Sequence, residues 1–311
     1  MHQHRLQVTA ARSVTWTRHH LPPVQEHELL VRTIAGAISI GAELPQVRGD
    51  DPTDPSPAYP KETGYESYAT VIAVGDQVTR FQVGDRLLAF YGHQDIALVE
   101  EAKAIPVPDG ISAKLALLNI LSCDAAKGVR KLAPRATDSV LVTGMGVMGL
   151  LTVFYLRHYY RVKRIVVSDP NPVRTALALE LGADAAYRLD DSSVSETFTH
   201  ALECSARQDA FALLQEKLVP HGQLCILSDG NHETLSLTAA FYEKELRLIG
   251  SSDGWDYQDH AAWFFKTAPH VPQLERLFEQ TVASQDLAGY FENLLTDTTP
   301  LKVFVTYPST D

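Results

Sequence analysis

The sequence predicts an α/β protein in which a doubly wound parallel sheet follows a separate β-rich N-terminal region. Three observations support this. Leu141-Val-Thr-Gly144-Met-Gly146-Val-Met-Gly149 joins a β-branched apolar run to glycines at positions one, three and six, and a helix-like segment starts at Leu150. From about Lys114 onward, strand-type apolar runs alternate with segments of helical spacing, the rhythm of βαβ units. The first third instead holds short apolar runs separated by turn residues, which suggests a compact barrel or sandwich.

In that first third the runs are Leu29–Ile34, Ser67–Val74 and Asp85–Phe90, punctuated by Gly75-Asp76, Gly84-Asp85 and Gly92-His93. Between the first two lies Gly49–Pro60, with four prolines and three aspartates. It reads as an irregular loop, because proline removes ladder donors and fixes φ. Lys114–Lys131 is apolar at helical spacing, and Arg164-Ile-Val-Val-Ser-Asp169 is a strand ending on a carboxylate. A helix through Thr175–Leu181 is stopped by Gly182. Ala201–Cys204, Gln223–Leu227 and Leu246–Gly250 read as further buried strands, Gln273–Ala283 as a helix and Leu301–Val305 as a closing strand.

The glycine-rich unit has the chemistry of a dinucleotide site. Gly144 permits a tight strand-to-helix turn, Gly146 lets the backbone approach a pyrophosphate, and Gly149 lets the helix pack on the strand. The helix N-terminus offers amide donors and a positive dipole end to phosphates. Asp169, about twenty positions downstream, suits the hydroxyls of a ribose.

Composition narrows the function further. The 311 residues are long enough for two domains and carry a formal net charge of −11. That balance, with no basic run, argues against nucleic-acid or anionic-membrane binding. The start, Met1-His-Gln-His-Arg, lacks the apolar core of a signal peptide, and no apolar stretch approaches spanning length. The expectation is a cytoplasmic enzyme acting on a small molecule. Three widely spaced cysteines, Cys123, Cys204 and Cys225, suit a reducing compartment and core packing. His2, His4, His19 and His20 read as solvated surface.

Gly64-Tyr-Glu66 followed by Val74-Gly-Asp-Gln-Val-Thr-Arg-Phe-Gln-Val-Gly-Asp-Arg86 resembles the G-H-E … V-G-x-x-V-x-x-F-x-x-G-D-R-V signature of the medium-chain dehydrogenase/reductase superfamily. That superfamily includes the zinc alcohol dehydrogenases and quinone reductases. Leu181-Gly-Ala183 and Leu248-Ile-Gly-Ser251 extend the likeness along the chain. It implies a GroES-like domain from residues 1–120, completed by 254–311, with a Rossmann domain over 121–253. Ala37-Ile-Ser-Ile-Gly-Ala-Glu43 and Gly64-Tyr-Glu-Ser67 are similar to segments of bacteriochlorophyllide a dehydrogenases, a kinship that does not fix the substrate.

The departures matter most. Where zinc-using members place their metal ligands, this chain has Ser39, Tyr65 and Asn119. A hydroxyl, a phenol and an amide do not make a zinc site. The resemblance therefore implies a zinc-free NAD(P)(H) oxidoreductase acting on a carbonyl, an alcohol or a conjugated enone in an interdomain cleft. The competing class is a catalytically inactive dinucleotide sensor or subunit.

Carried over by position, Gly144, Gly146, Val147, Met148 and Gly149 line the pyrophosphate, and Asp169 takes the adenosine ribose with Arg174 nearby. A carboxylate at Asp169 repels a 2′-phosphate, so NAD(H) is preferred, while Arg174 keeps NADP(H) possible. Tyr65 either donates a hydrogen bond to the reacting oxygen or packs the cleft floor. Ser39 either relays a proton or fills space, and Glu66 supports the site. Cys123 and Asp124 lie beside the expected nicotinamide pocket. Trp255 either walls the substrate site or packs as an ordinary aromatic, and His93 is a further pocket candidate. A homodimer through the edge of the Rossmann sheet is expected from the resemblance alone.

Overall fold

A computed structural model of the chain describes residues 1–188, 195–228, 233–296 and 299–308. The chain divides into two compact units: Met1–Leu118 with Ala261–Pro269 and Glu275–Asp311, and Asn119–His260 with His270–Leu274.

The first unit opens with a hairpin of β1 (His2–Ala10) and β2 (Ser13–His20), in which His2 faces His20. β3 (Glu28–Ile38) is long and buried along most of its length because it runs through the middle of a sheet. α1 (Ile40–Arg48) follows directly, and Gly49 ends it in the left-handed conformation at φ 76°. The proline-rich stretch after it is irregular, and the short β4 (Lys61–Glu62) pairs with β1. β5 (Glu66–Val74), β6 (Arg86–Ala89), β7 (Ile96–Glu100) and β8 (Ile105–Pro106) complete this part. Leu29, Val31, Val71, Phe81, Leu87 and Val99 form one buried cluster between these strands.

α2 (Ala113–Leu132) leads into the second unit. There the chain alternates strictly: β9 (Ser139–Thr143), α3 (Val147–His158), β10 (Arg164–Ser168), α4 (Pro172–Glu180) and β11 (Ala185–Tyr187). The second half runs β12 (Phe198–Glu203), α5 (Gln208–Lys217), β13 (Leu218–Ile226), α6 (Ala239–Glu243) and β14 (Arg247–Gly250). The six strands are parallel in the order β11-β10-β9-β12-β13-β14, so the strand order reverses beside β9. A doubly wound sheet binds its ligand outside the carboxyl ends of the strands at that switch point. α4 starts where sequence chemistry demands. Asn171 accepts hydrogen bonds from the N–H groups of Val173 and Arg174, and Pro172 sits where no donor is needed.

Two expectations need correction. Leu246–Gly250 does contain a strand, but β14 is an edge strand with β13 as its neighbour, and Leu248 is 40% exposed rather than buried. Gln273–Ala283 is not a helix. A 3₁₀ segment over Pro272–Leu277 gives way to β15 (Phe278–Ala283), which pairs in parallel with a later strand. The apolar spacing of Leu274 and Leu277 fits a 3₁₀ turn equally well, and Phe278, Thr281 and Val282 favour a strand.

The chain passes through α7 (Tyr257–Thr267) before β15, and then through α8 (Leu287–Leu294) and β16 (Lys302–Thr306). β16 lies antiparallel to β3, with Val303 opposite Ile38. The resulting sheet has the order β15-β16-β3-β5-β6-β8, with β7 also on β3. Leu6, Ile38, Leu44, Val47, Phe291 and Val303 fill a second cluster of the first unit. Among the described residues, no helix is long and apolar enough to cross a membrane.

Candidate functional site

Sheet register in the first unit gathers three residues that lie far apart in sequence. Ala37 near the end of β3 faces Glu66 at the start of β5, and Val303 of β16 faces Ile38. Ser39, Glu66 and Lys302 therefore meet at one end of three adjacent strands. Ser39 is 6% exposed, Glu66 1% and Lys302 0%. Lys302 Nζ donates to Glu66 Oε1 at 2.6 Å and to Ser39 Oγ at 3.1 Å, while Ser39 Oγ donates to Glu66 Oε1 at 2.5 Å. Among the described residues, Glu66 Oε2 is buried without a hydrogen-bond partner. Burial pushes the Glu66 carboxyl up, against the opposing pull of the Lys302 charge and of the hydrogen bonds from Lys302 and Ser39. Tyr65 is half-buried on the residue just before β5, next to Glu66.

A second buried pair braces this cluster. The Ser39 N–H donates to Glu43 Oε1 at 2.8 Å, and Thr63 Oγ1 donates to Glu43 Oε2 at 3.1 Å. The ring of His93 meets the same carboxylate at 2.9 Å, and an N–H at its Nε2 is the assignment a carboxylate partner requires. The same ring packs against Gly64, where any Cβ would lie 2.7 Å from it and φ is +86°. His93 is 2% exposed and reaches Ser39 only through Glu43, so its place is that of a support.

In the second unit the glycine-rich turn crosses the switch point. Gly144 adopts φ +82°, and a Cβ there would meet Ser205 backbone atoms at 2.6 Å in the loop after β12. A Cβ on Gly149 would lie 1.9 Å from the Gly144 carbonyl oxygen, so helix and turn touch backbone to backbone. Gly146 is different: it is the N-cap of α3, and a Cβ there would meet nothing within 4 Å. The N–H groups of Val147, Met148 and Gly149 open the helix and have no acceptor within it. Asp169, just past β10, accepts from the Met145 N–H at 2.6 Å and the Asn171 N–H at 2.8 Å. Those bonds place its carboxylate beside the turn. Arg174 is partly buried in the first turn of α4. This open cradle under a helix N-terminus, with a fixed carboxylate alongside, fits a dinucleotide.

Ser39, Tyr65 and Asn119, which only the resemblance sets at metal positions, fit a metal ion poorly in their chemistry. The Ser39 hydroxyl is engaged by Glu66 and Lys302, and Tyr65 is a phenol. Asn119, in the second unit, is fully buried and donates its amide to the Tyr257 carbonyl at 3.4 Å. Cys123 is an unsuitable thiolate, since burial, then the charge of Asp124, pushes its thiol up to about 12. Asp124 accepts from the Tyr257 hydroxyl at 2.7 Å. Trp255 is 57% exposed, so the packed-aromatic reading does not hold. Lys302, Glu43 and Tyr257 escaped sequence reasoning; an apolar strand such as Leu301–Val305 interrupted by one lysine was the available signal for Lys302.

Residues 25–109 match the alcohol dehydrogenase GroES-like domain. The chain is 26% identical to the starvation-sensing protein RspB of Escherichia coli over 200 residues, covering 53% of this chain and 59% of that protein. It is 24% identical to the L-threonine 3-dehydrogenase of Chromobacterium violaceum, over 70% of this chain and 74% of that enzyme. Among solved structures, Staphylococcus aureus TarJ in complex with NADPH superposes with a TM-score of 0.85 at 22% identity, covering 99% of this chain and 100% of that one. An E. coli RspB complexed with NADH gives a TM-score of 0.85 at 20% identity, covering 98% and 99% of the two chains.

Proposed function

We propose that the chain, whose residues 25–109 match the alcohol dehydrogenase GroES-like domain, is a zinc-independent, NAD(P)(H)-dependent oxidoreductase of the medium-chain dehydrogenase/reductase superfamily acting on the carbonyl, alcohol or enone of a small molecule. The reading is carried by what the chain holds in each unit: an unobstructed Gly146 cradle in the second and a buried polar cluster at Ser39, Glu66 and Lys302 in the first. The cradle alone would suit a sensor equally. A charged cluster held out of water favours chemistry.

Hydride transfer is the chemistry that a bound nicotinamide supplies. This chain's residues bind, orient and handle the proton. The α3 N-terminus and Gly144–Gly149 hold the pyrophosphate, and Asp169 accepts from the ribose hydroxyls. Tyr65 donates to the oxygen that gains charge as a carbonyl is reduced, an oxyanion-type stabilisation. Ser39 relays the proton, and Glu66 stands behind it. Lewis-acid activation plays no step here, because the donor set is a hydroxyl, a phenol and an amide.

The test is a panel of alcohols, aldehydes, ketones, quinones and enones, followed by nicotinamide absorbance with both cofactors. NADH binding without turnover of any of them would leave the sensor reading standing. The panel also checks cofactor choice. A carboxylate near a doubly charged 2′-phosphate costs about 1.4 kcal/mol at short range, so kcat/KM with NADH exceeds that with NADPH by about tenfold. Asp169→Ala narrows the ratio, with Arg174 then free to meet the phosphate. A clear NADPH advantage in the parent protein would remove Asp169 as the discriminator.

A further inference from the structure

Lys302 is the only buried lysine among the described residues, with 0% of its side chain exposed, and its partner Glu66 is equally enclosed. Burying an ammonium and a carboxylate carries a large desolvation cost that their attraction must first recover. An apolar pair of similar volume would hold the core as well. Stability alone is therefore a weak reason for the pair.

The pair also dictates which way the hydrogen bonds run. An ammonium carries only donors, and Lys302 directs two of its three to Glu66 Oε1 and Ser39 Oγ. Ser39 has one hydrogen, and it goes to Glu66 Oε1. One lone pair of Ser39 Oγ takes the Lys302 hydrogen, and the remaining capacity of the hydroxyl is a single lone pair. Ser39 can accept one more hydrogen bond and can donate none. Glu66 Oε2 adds an unpartnered acceptor behind it.

The group complementary to that arrangement is the O–H of an alcohol. Resting on the oxidoreductase reading, we propose that Lys302 is a positioning residue that fixes the direction of a Ser39–Glu66 proton relay, and that the substrate is therefore an alcohol/carbonyl couple. In oxidation the substrate O–H bond breaks and its proton bonds to Ser39 Oγ, while the original Ser39 proton passes to Glu66. The carbinol carbon loses its hydrogen with the bonding pair to the NAD(P)⁺ nicotinamide, and the C=O double bond forms. Reduction runs the same path backwards, with protonated Glu66 as the proton source. A saturated ketone made by reducing a conjugated C=C presents no such hydroxyl, so the relay has no role in that reaction.

Four variants test this: Lys302→Met, Lys302→Arg, Glu66→Gln and the double Lys302→Met/Glu66→Gln. Probes are benzyl alcohol and butan-2-ol with NAD⁺, the matching carbonyls with NADH, and cyclohex-2-enone with NADH. NADH affinity and thermal melting are measured in parallel. Losing a proton relay typically costs 10²–10⁴-fold, so Lys302→Met and Glu66→Gln lower kcat by about 100-fold with NADH affinity within about twofold. Lys302→Arg, which keeps the charge and the donors, recovers kcat to within about tenfold of the parent. The double variant is neutral and close in shape, so it melts near the parent temperature yet stays inactive. It also decides the matter if Lys302→Met fails to fold. Wild-type turnover in the double variant overturns the proposal, as does a parent protein that reduces cyclohex-2-enone but neither oxidises the alcohols nor reduces their carbonyls. A parent protein that binds NADH and turns over none of the probes overturns the oxidoreductase reading itself, and the relay with it.

Discussion

Replacing Gly146 with alanine is expected to leave the protein folded while lowering its affinity for NADH at least about tenfold, because the added methyl would occupy the place proposed for the pyrophosphate against the backbone. The protein itself has no objection to that methyl. Gly146 has φ −72°, which any residue adopts, and a Cβ there meets nothing within 4 Å. Alanine is a poorer N-cap than glycine, which limits the stability loss to about 1 kcal/mol or less. Gly149→Ala is the contrasting control: its Cβ would sit 1.9 Å from the Gly144 carbonyl oxygen, so the turn must move with or without cofactor. Thermal melting and NADH fluorescence titration separate the two cases. Unchanged NADH affinity in Gly146→Ala would mean that no pyrophosphate lies over this residue.

Tyr65→Phe is expected to lower kcat by about 100-fold, the usual cost of removing one donor from an oxyanion site. Its ring is retained and the residue is half-buried, so melting temperature and NADH affinity change little. A donor used only in the transition state lowers kcat and kcat/KM together, which distinguishes it from a residue that merely binds substrate. An unaltered rate would take Tyr65 out of the reaction and leave it as packing beside Glu66.

What could be read from the sequence follows from how local each signal is. The glycine turn, the strands either side of it and Asp169 occupy one βαβ unit, where spacing alone determines which groups are neighbours. The doubly wound parallel sheet follows from that rhythm, but the order of its six strands does not, because different orders satisfy the same right-handed crossovers. Ser39 and Glu66 stood out through their motifs, and the sheet brings them within a hydrogen bond. Lys302 did not stand out, because its partner lies 236 positions away and only the register of β16 on β3 joins them. Glu43 and His93 meet for the same kind of reason, across 50 positions. Local ambiguity explains the misread helix at Gln273–Ala283: its apolar spacing suits more than one conformation, and pairing of β15 with β16 decides between them. The exposure of β14 was equally invisible, since Leu248 and Ile249 look alike in a buried strand and an edge strand.

The central claim is that redox turnover here uses hydrogen-bond donors from the chain and no divalent ion. Elemental analysis of the purified protein, paired with turnover before and after exhaustive chelation, tests it most directly. The account predicts substoichiometric zinc and a rate that chelation leaves intact. One tightly held zinc ion per chain, whose removal abolishes turnover and whose return restores it, would contradict the account.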